Sequence, residues 1–468
     1  TLTVTDDVTG CVYDYKVTVV TTSSTTTPFP SPCIYNTSNS SAFSTNSFRS
    51  IMVDKNNEVW AGADLGGLYR FVRNGEGCSG TWQKSNQQDP GSTYKDLVAH
   101  DYAALCNCSS DDLGIWAANT GHTGIQAITG GVYQIGDYNF TTRRFGSVDD
   151  VSNNGNLSSR FANSVVTGLD GFIYVALSQS IRIASSTIME GGIYKRPLTG
   201  SGDQFTEVQG LTLPESDIRV TCAGRRGEEI WFAVDRYCGG GCTAGYIIRY
   251  NTTSQTQSGV IRNPLPFTPN ATTPIVRSIY TDSIGRTYVG MNNNAGIAVL
   301  DTGNTWKQIT NQNSPLPNGA SVNFNAITEV NGEIWIGTTQ GLLVYDGVGD
   351  FADCASYTLY TTVHNLPSNN VTDIAYDNSR FEVWITTDAG IFRTRETHAV
   401  AGTILDVSCG PYTALSSTML KNPIEGVRVS LITLDGTLVD EQLTDATGNF
   451  SLHNGEPNTQ YKLQVKYL

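Results

Sequence analysis

The chain is poor in charge. Only 15% of its 468 residues are Asp, Glu, Lys or Arg, and 29 Lys+Arg against 43 Asp+Glu give a formal charge of −14. A surface of that sign does not attract a phosphate backbone, so nucleic acid is not an expected partner. No apolar run approaches the roughly 18 residues that a membrane-spanning helix needs, so no membrane insertion is expected within this segment. Helix-period patterning is almost absent. Five histidines are present, His100, His122, His364, His398 and His453, and no paired CxxC spacing accompanies them, which argues against a zinc site. Also missing are a GxSxG elbow, a P-loop, an HExxH motif and a dinucleotide fingerprint. Gly239 to Gly241 lack the following helix that a phosphate cradle requires. The paired acids Asp149-Asp150 and Glu228-Glu229 are adjacent, and adjacent strand residues point to opposite faces, so neither pair suits acid and base work on one substrate. The expectation is a non-enzyme without cofactor, structural calcium alone being allowed.

What is abundant is Ser, Thr, Asn and Gly, the neutral polar chemistry of an extracellular β protein. Ten cysteines in such a chain read as disulfides. Cys238 and Cys242 would close a tight glycine loop. Cys106 and Cys108, if borne on a strand, share a face and would seek separate partners. Cys33 and Cys78 complete the candidates. The chain starts directly in a strand-like TLTVTD and stops in a strand-like YKLQVKYL, so a piece of a longer chain is expected.

A unit recurs along the chain: an apolar first strand, a second strand with an aromatic, and a third opening on Gly. The aromatics are Trp60, Trp116, Tyr174, Trp231, Tyr288, Trp335 and Trp384; the glycines are Gly67, Gly131, Gly192, Gly245, Gly296, Gly341 and Gly390. Seven units at propeller-like spacing imply an all-β, seven-bladed β-propeller, and the strand-like runs before and after them add flanking β-sandwich modules of immunoglobulin-like and transthyretin-like type. The last unit shows three strands, so Cys33 to Asn36 is expected to supply its fourth and seal the ring. First strands end in an acid, at Asp54, Asp170, Asp282 and Asp377. One acid per blade suits hairpin turns better than a shared calcium.

Trp335 to Asp346, followed by Asn365-Leu-Pro-Ser-Asn-Asn-Val-Thr-Asp-Ile, resembles the two-component regulator propeller repeat of bacterial sensor ectodomains and large secreted proteins. Residues 1–20 resemble the C-terminal hairpin of an immunoglobulin-like, SprB-type repeat found in giant surface adhesins of gliding Bacteroidota. Residues 21–32, TTSSTTTPFPSP, read as a linker. The propeller is expected over 33–398. Residues 399–468, with Asn422-Pro-Ile-Glu-Gly-Val and Thr444-Asp-Ala-Thr-Gly-Asn-Phe, resemble carboxypeptidase-regulatory-like and Cna-B-like modules. Asp301 to Trp306 resembles the Asp-box of sialidases, a folded hairpin rather than a catalytic element.

Loops on a rigid ring are where specificity sits. The binding candidates are Asp111, Asp112 and His122 in the longest insertion, and Arg236 and Tyr237 before the glycine loop. These resemblances imply a cell-surface adhesin or filament segment exported by the type IX pathway. Its partners would be surface glycans or proteins of other cells or substrata, further modules of the same chain, and a homo-oligomeric copy. Two rivals stand beside it. One is the ligand-sensing ectodomain of a hybrid two-component receptor, and the other is a propeller polysaccharide lyase or hydrolase, which needs a Tyr/His or paired-acid cluster.

Overall fold

The computed structural model describes residues 2–5, 12–15, 32–74, 78–85, 93–99, 115–120, 131–135, 142–145, 156–159, 161–178, 180–181, 188–189, 191–198, 204–211, 218–236, 246–262, 274–395, 398–403, 405–406, 422–423, 425–455 and 461–466. Two compact units are formed, one by Ser31–Thr394 and the other by Thr1–Pro30 with Arg395–Leu468.

The first unit is a seven-bladed propeller. Blade 1 is Phe48–Val53, Val59–Ala63, Leu68–Arg73 and Gly80–Lys84; blade 2 is Thr93–Ala99, Ile115–Thr120, Gly131–Ile135 and Thr142–Phe145. Blade 3 is Phe161–Thr167, Phe172–Ser178, Gly192–Pro197 and Thr206–Glu207; blade 4 is Ile218–Arg226, Glu229–Arg236, Tyr246–Asn251 and Thr256–Arg262. Blade 5 is Val276–Thr281, Thr287–Met291, Ile297–Leu300 and Trp306–Ile309; blade 6 is Val322–Val330, Glu333–Thr338, Gly341–Tyr345 and Tyr357–Tyr360. Blade 7 takes Val371–Asp377, Glu382–Thr387 and Gly390–Arg395 from one end of the unit and Cys33–Tyr35 from the other. The expected ring-closing strand is therefore present, paired antiparallel with Cys33 opposite Arg393. First strands touch in a closed cycle, blade 7 against blade 1 included.

The repeat signature has a packing cause. Each second-strand aromatic is buried, six of them fully and Trp335 nearly so. The third-strand glycine is dictated by its neighbour: at Gly390, with φ +138°, an added Cβ would lie 2.6 Å from the Tyr35 carbonyl oxygen of the fourth strand. Two residues beyond the aromatic the chain stays small, because the next blade presses there. A Cβ on Gly337 would meet the Val371 carbonyl oxygen at 2.7 Å.

A feature invisible in the spacing lies opposite that small residue. Every first strand shifts register at this point, by a one-residue bulge between Phe48 and Ser50, Tyr94 and Asp96, Ala162 and Ser164, Val220 and Cys222, Val276 and Ser278, and Val371 and Asp373, and by a longer excursion between Val322 and Ile327. A bulge re-aims a side chain out of its own sheet. Asn163 donates to the Val220 carbonyl at 2.8 Å, Thr221 to Val276 at 2.7 Å, Asn323 to Val371 at 2.6 Å and Thr372 to Phe48 at 2.7 Å. In each case the acceptor is the carbonyl just before the next blade's bulge. Arg49 and Arg277 occupy the same place in blades 1 and 5 and act differently: Arg49 pairs with Asp64, and the Arg277 guanidinium lies 5.0 Å from the centre of the Phe324 ring.

The seam between blades 7 and 1 is bonded more heavily. A disulfide joins Cys33 to Cys78, 45 residues apart, with Cα atoms 5.4 Å apart. Tyr35 packs against Phe71 and Trp82 of blade 1 and stacks on Trp384 of blade 7. The fully buried Glu382 carboxylate takes Arg73 from blade 1 and Arg393 from its own blade. The Asp373 carboxylate accepts the Ile51 N–H at 2.8 Å, and Arg380 donates to the Asn57 carbonyl at 2.9 Å.

In the second unit, Leu2–Thr5 pairs with Val12–Tyr15. Arg428–Thr433 is flanked by Leu438–Leu443 and Tyr461–Lys466, while His398–Thr403 pairs with Asn449–Gly455. Val427, Val429, Leu431, Phe450 and Leu452 form the core between them. His398 pairs with Gly455, so the propeller ends at Thr394 and not at 398 as the sequence suggested. The linker through Ser31 lies outside the described residues.

The bulge contacts are testable by an isosteric change. Thr372→Val leaves the buried Phe48 carbonyl without that donor, and is expected to lower unfolding free energy by about 1–3 kcal/mol. The exposed Thr362→Val is expected to stay within about 0.5 kcal/mol in the same urea titration.

Candidate functional site

Antiparallel blades send their connections to two ends of the ring, and those ends differ in chemistry. At one end lie the turns joining first to second and third to fourth strands. There the acids ending the first strands act as turn caps. Asp54 accepts the N–H groups of Asn56 at 2.8 Å and Glu58 at 2.9 Å, and its other oxygen accepts the Trp60 indole N–H at 3.0 Å. Asp282 likewise takes the Arg286 N–H at 2.7 Å and the Tyr288 hydroxyl at 3.3 Å, and Asp170 takes the Tyr174 hydroxyl at 2.7 Å. Asp377 caps Ser379 and Arg380. Blades 4 and 6 hold their aromatic from the second strand instead: Glu229 takes the Trp231 indole N–H at 2.9 Å, and Glu333 that of Trp335 at 3.1 Å. Residues two apart on a strand share a face, which makes this substitution workable. These carboxylates are thus engaged with the fold. The Asp-box-like segment is also a hairpin, with the Thr305 N–H bound to the Asp301 carboxylate at 2.7 Å. Among the described residues no three His, Cys, Asp or Glu side chains converge to hold a metal ion.

The opposite end of blades 5, 6, 7 and 1 is poor in charge, although the Lys84 ammonium reaches it from the fourth strand of blade 1 and donates to Ser44 at 2.9 Å. Its described connections are residues 292–296, 310–321, 339–340, 361–370, 388–389, 36–47 and 64–67, and the ionisable side chains within them are His364, Asp388 and Asp64. Asp64 is neutralised by Arg49. Carboxamides dominate the rest and are tied to one another. Asn318 accepts from Asn294 at 3.0 Å and from Asn311 at 3.4 Å, while Gln340 donates to its backbone carbonyl at 3.2 Å. Asn323 donates to Asn370 at 2.9 Å, and Asn370 donates to Asp388 at 3.0 Å. Asn293 and Asn294 hold left-handed backbone, with φ 53° and 64°. Asn is the non-glycine residue best suited to that region.

One Tyr/His pair occurs at this end, with the Tyr360 and His364 rings 5.5 Å apart. Its parts are committed to structure. The His364 ring nitrogen Nδ1 accepts the Thr361 N–H at 3.0 Å, and burial pushes the Tyr360 hydroxyl above its ordinary range, with Glu333 adding to the effect.

The candidates picked from sequence distribute unevenly. Asp111 and Asp112 fall between the first two strands of blade 2, and His122 between its second and third, so their connections start from opposite ends of Ile115–Thr120. Those three residues, Tyr237, and Cys106, Cys108, Cys238 and Cys242 lie outside the described residues. Arg236 is the last residue of a blade 4 strand, its backbone opposite Ile218. Of the cysteine candidates, Cys33 and Cys78 are joined. The sequence reading passed over the carboxamide end because its members come from seven separate segments, each of which alone reads as an ordinary turn.

At the charged end, burial would raise the Glu229 carboxyl. Hydrogen bonds from Arg249, Ser258 and Trp231, with the Arg249 charge, outweigh burial and hold it at about 2 against an ordinary 4.5. A depressed folded value means that this stabilisation is complete above pH 4.5 and is lost as pH falls towards 2. Glu229→Gln is therefore expected to flatten the acid limb of stability in that window, read from urea midpoints at several pH values. An acid limb unchanged by the substitution would contradict it.

No protein-family model matches the chain, and no curated protein matches it. Among solved structures it is similar to the extracellular domain of a hybrid two-component system from B. thetaiotaomicron, with a TM-score of 0.53 and 16% identity, covering 88% of this chain and 46% of that one. It is also similar to PorZ, a bacterial surface component of the type IX secretion system of Porphyromonas gingivalis, with a TM-score of 0.52 and 12% identity, covering 90% of this chain and 59% of that one. The chain thus spans about half the length of these structures. Likeness at this level of identity carries the fold, and the fold is a β-propeller.

Proposed function

We propose that this chain is a non-catalytic, ligand-binding segment of an extracellular protein, and that its propeller takes an uncharged, hydroxyl-rich ligand, a neutral polysaccharide, on the carboxamide end of blades 5, 6, 7 and 1. The observation that carries this reading is the near absence of ionisable groups from seven connections that meet at one end of the ring. A carboxamide both donates and accepts without carrying charge, which suits pairs of sugar hydroxyls. The mutual hydrogen bonds of Asn294, Asn311, Asn318 and Gln340 hold these groups in place before a ligand arrives, which lowers the ordering cost of binding. The Cys33–Cys78 bridge fits an oxidising, extracellular setting.

Of the settings raised by the sequence, the ligand-sensing ectodomain has the better support, since one fold neighbour is the extracellular domain of a two-component system. The attachment role is kept as a second reading on one observation, the SprB-like pattern of residues 1–20 ahead of the propeller. The residues that follow Leu468 in the full protein distinguish them: a membrane helix and kinase belong to the sensor, further repeats to the adhesin.

Affinity electrophoresis of the full chain tests the ligand class, using gels cast with xylan, galactan or mixed-linkage glucan and, in parallel, with polygalacturonate or alginate. Retardation is expected on a neutral polysaccharide, with no shortening of the polymer. Asn318→Asp combined with Gln340→Glu is expected to weaken it about tenfold, the equivalent of one or two lost hydrogen bonds. Retardation only on the acidic polymers, or on none, would reject the reading.

A further inference from the structure

The carboxamide end receives a cation that no carboxylate among the described residues balances. We propose that the polysaccharide taken at this end carries isolated uronate side groups on its neutral main chain, and that Lys84 of blade 1 receives their carboxylate, with Leu65 beside it against a sugar ring. This inference rests on the carboxamide end being the ligand-binding end.

Two connections and one strand end build the subsite. Lys84 is the last residue of Gly80–Lys84 and lies opposite Tyr69 in the blade 1 ladder. Its side chain runs across the start of the third strand, where Gly67 leaves room for it: a Cβ at Gly67 would lie 3.3 Å from the Lys84 Cε atom. The ammonium then donates to the Ser44 hydroxyl at 2.9 Å and lies 5.7 Å from the centre of the Tyr69 ring. Ser44 is itself fixed. Its hydroxyl is 2.9 Å from that of Tyr69, its N–H donates to the same phenol oxygen at 3.2 Å, and Tyr69 donates to the Gly66 carbonyl at 3.0 Å. Gly66 sits so close to the other connection that an added Cβ would be 2.5 Å from the Thr45 Cγ2 atom. The cation is thus held in place before a ligand arrives, which lowers the ordering cost of binding.

Its counter-charge is what the fold does not supply. An ammonium has three N–H donors, and among the described residues only Ser44 accepts from this one. The carboxylates of this end are engaged elsewhere, Asp64 by Arg49 and Ser47 and Asp388 by Asn370. Lys84 is exposed, so a ligand can reach it. A polymer with an acid on every residue is repelled by a chain of formal charge −14, whereas one with occasional acids can place a single carboxylate on this point and its neutral length on the carboxamides.

Leu65 adds an observation of a different kind. It lies in the same connection as Gly66, is 59% exposed, and holds left-handed backbone at φ 57°. Glycine or asparagine adopts that region at less cost, and Asn294 does so in the second-to-third connection of blade 5. Strain of this sort, kept on an exposed apolar side chain, points to a contact made outside the core, and the leucine methyls suit the C–H face of a pyranose ring.

Affinity electrophoresis of the full chain, in gels cast with glucuronoxylan or with the same polymer after its carboxyl groups are reduced to alcohols, separates the charge from the main chain. The wild-type chain is expected to bind the native polymer about three- to fivefold more tightly, the effect of one exposed ion pair. That preference should vanish in about 1 M NaCl, where the screening length is about 3 Å. Lys84→Met keeps a stem over Gly67 and is expected to bring the ratio of the two affinities to one. Leu65→Gly is expected to weaken retention by both polymers alike while its urea midpoint holds or rises, so a lost fold is not mistaken for a lost contact. Equal affinity of the wild-type chain for the two polymers, or a preference that survives in Lys84→Met, would overturn the proposal and leave the neutral-polysaccharide reading standing. Retardation by neither of the two would overturn it as well, and if the neutral gels above also fail to retard the chain, the wider reading falls with it.

Discussion

The structure depends on the closure between blade 7 and blade 1. Six blades follow one another along the chain, and each covers a sheet face of its predecessor. The last has nothing to follow it, and an open ring would leave two sheet faces and a strand edge in water. The chain solves this by lending Cys33–Tyr35 to blade 7. A strand of three residues cannot hold such a joint by its ladder alone. The joint is therefore supported by a covalent bridge, a cluster of four aromatic rings, and a buried carboxylate clasped by two arginines. Removing one arginine from such a group leaves buried charge poorly compensated, which makes the seam specific as well as strong.

Elsewhere the same closing problem is met more cheaply. In blades 3, 4, 6 and 7 a bulged residue in the first strand reaches the carbonyl of the next blade and so fixes the angle of that neighbour. Where the bulged residue is Asn or Thr the contact forms; where it is Arg49 or Arg277 the long side chain goes to a carboxylate or a ring instead. The hairpin turns at one end then draw in the acids, because a carboxylate can cap a tight turn and hold a buried indole or phenol together. The connections at the other end are built largely from Asn, Ser and Thr, and the buried phenol they hold, Tyr69, is met by the Ser44 hydroxyl and the Gly66 carbonyl rather than by a carboxylate. The difference in charge between the two ends follows from what each kind of connection has to satisfy.

Much of this was legible in the chain. The seven aromatics and seven glycines announced seven blades, because the aromatic must be buried and, at Gly296, Gly341 and Gly390, the glycine admits the fourth strand's carbonyl. The ring-closing strand was legible too, since blade 7 was one strand short and Cys33-Ile-Tyr had no unit of its own. Less was legible of the site. The loop residues singled out for their chemistry, such as Asp111 and His122, were chosen one segment at a time. The carboxamide end is assembled from segments as far apart as Asn39 and Asp388, and no local pattern connects them. The bulges were hidden for a related reason: Val-Thr-Cys, Val-Arg-Ser and Ala-Asn-Ser look like ordinary strand, and only the partner strand's register shows a residue left over.

By itself, then, the sequence determined the fold class, the blade number, the turn chemistry and the need for a closing strand, all of which are set by short-range sterics and burial repeated at a fixed interval. Tertiary structure alone decided which cysteines meet, which bulged side chain finds which carbonyl, and which of the two ends of the ring is neutral. Those outcomes depend on residues brought together by ring closure across up to several hundred positions. Distance along the chain carries no record of such neighbours until the last strand is in place.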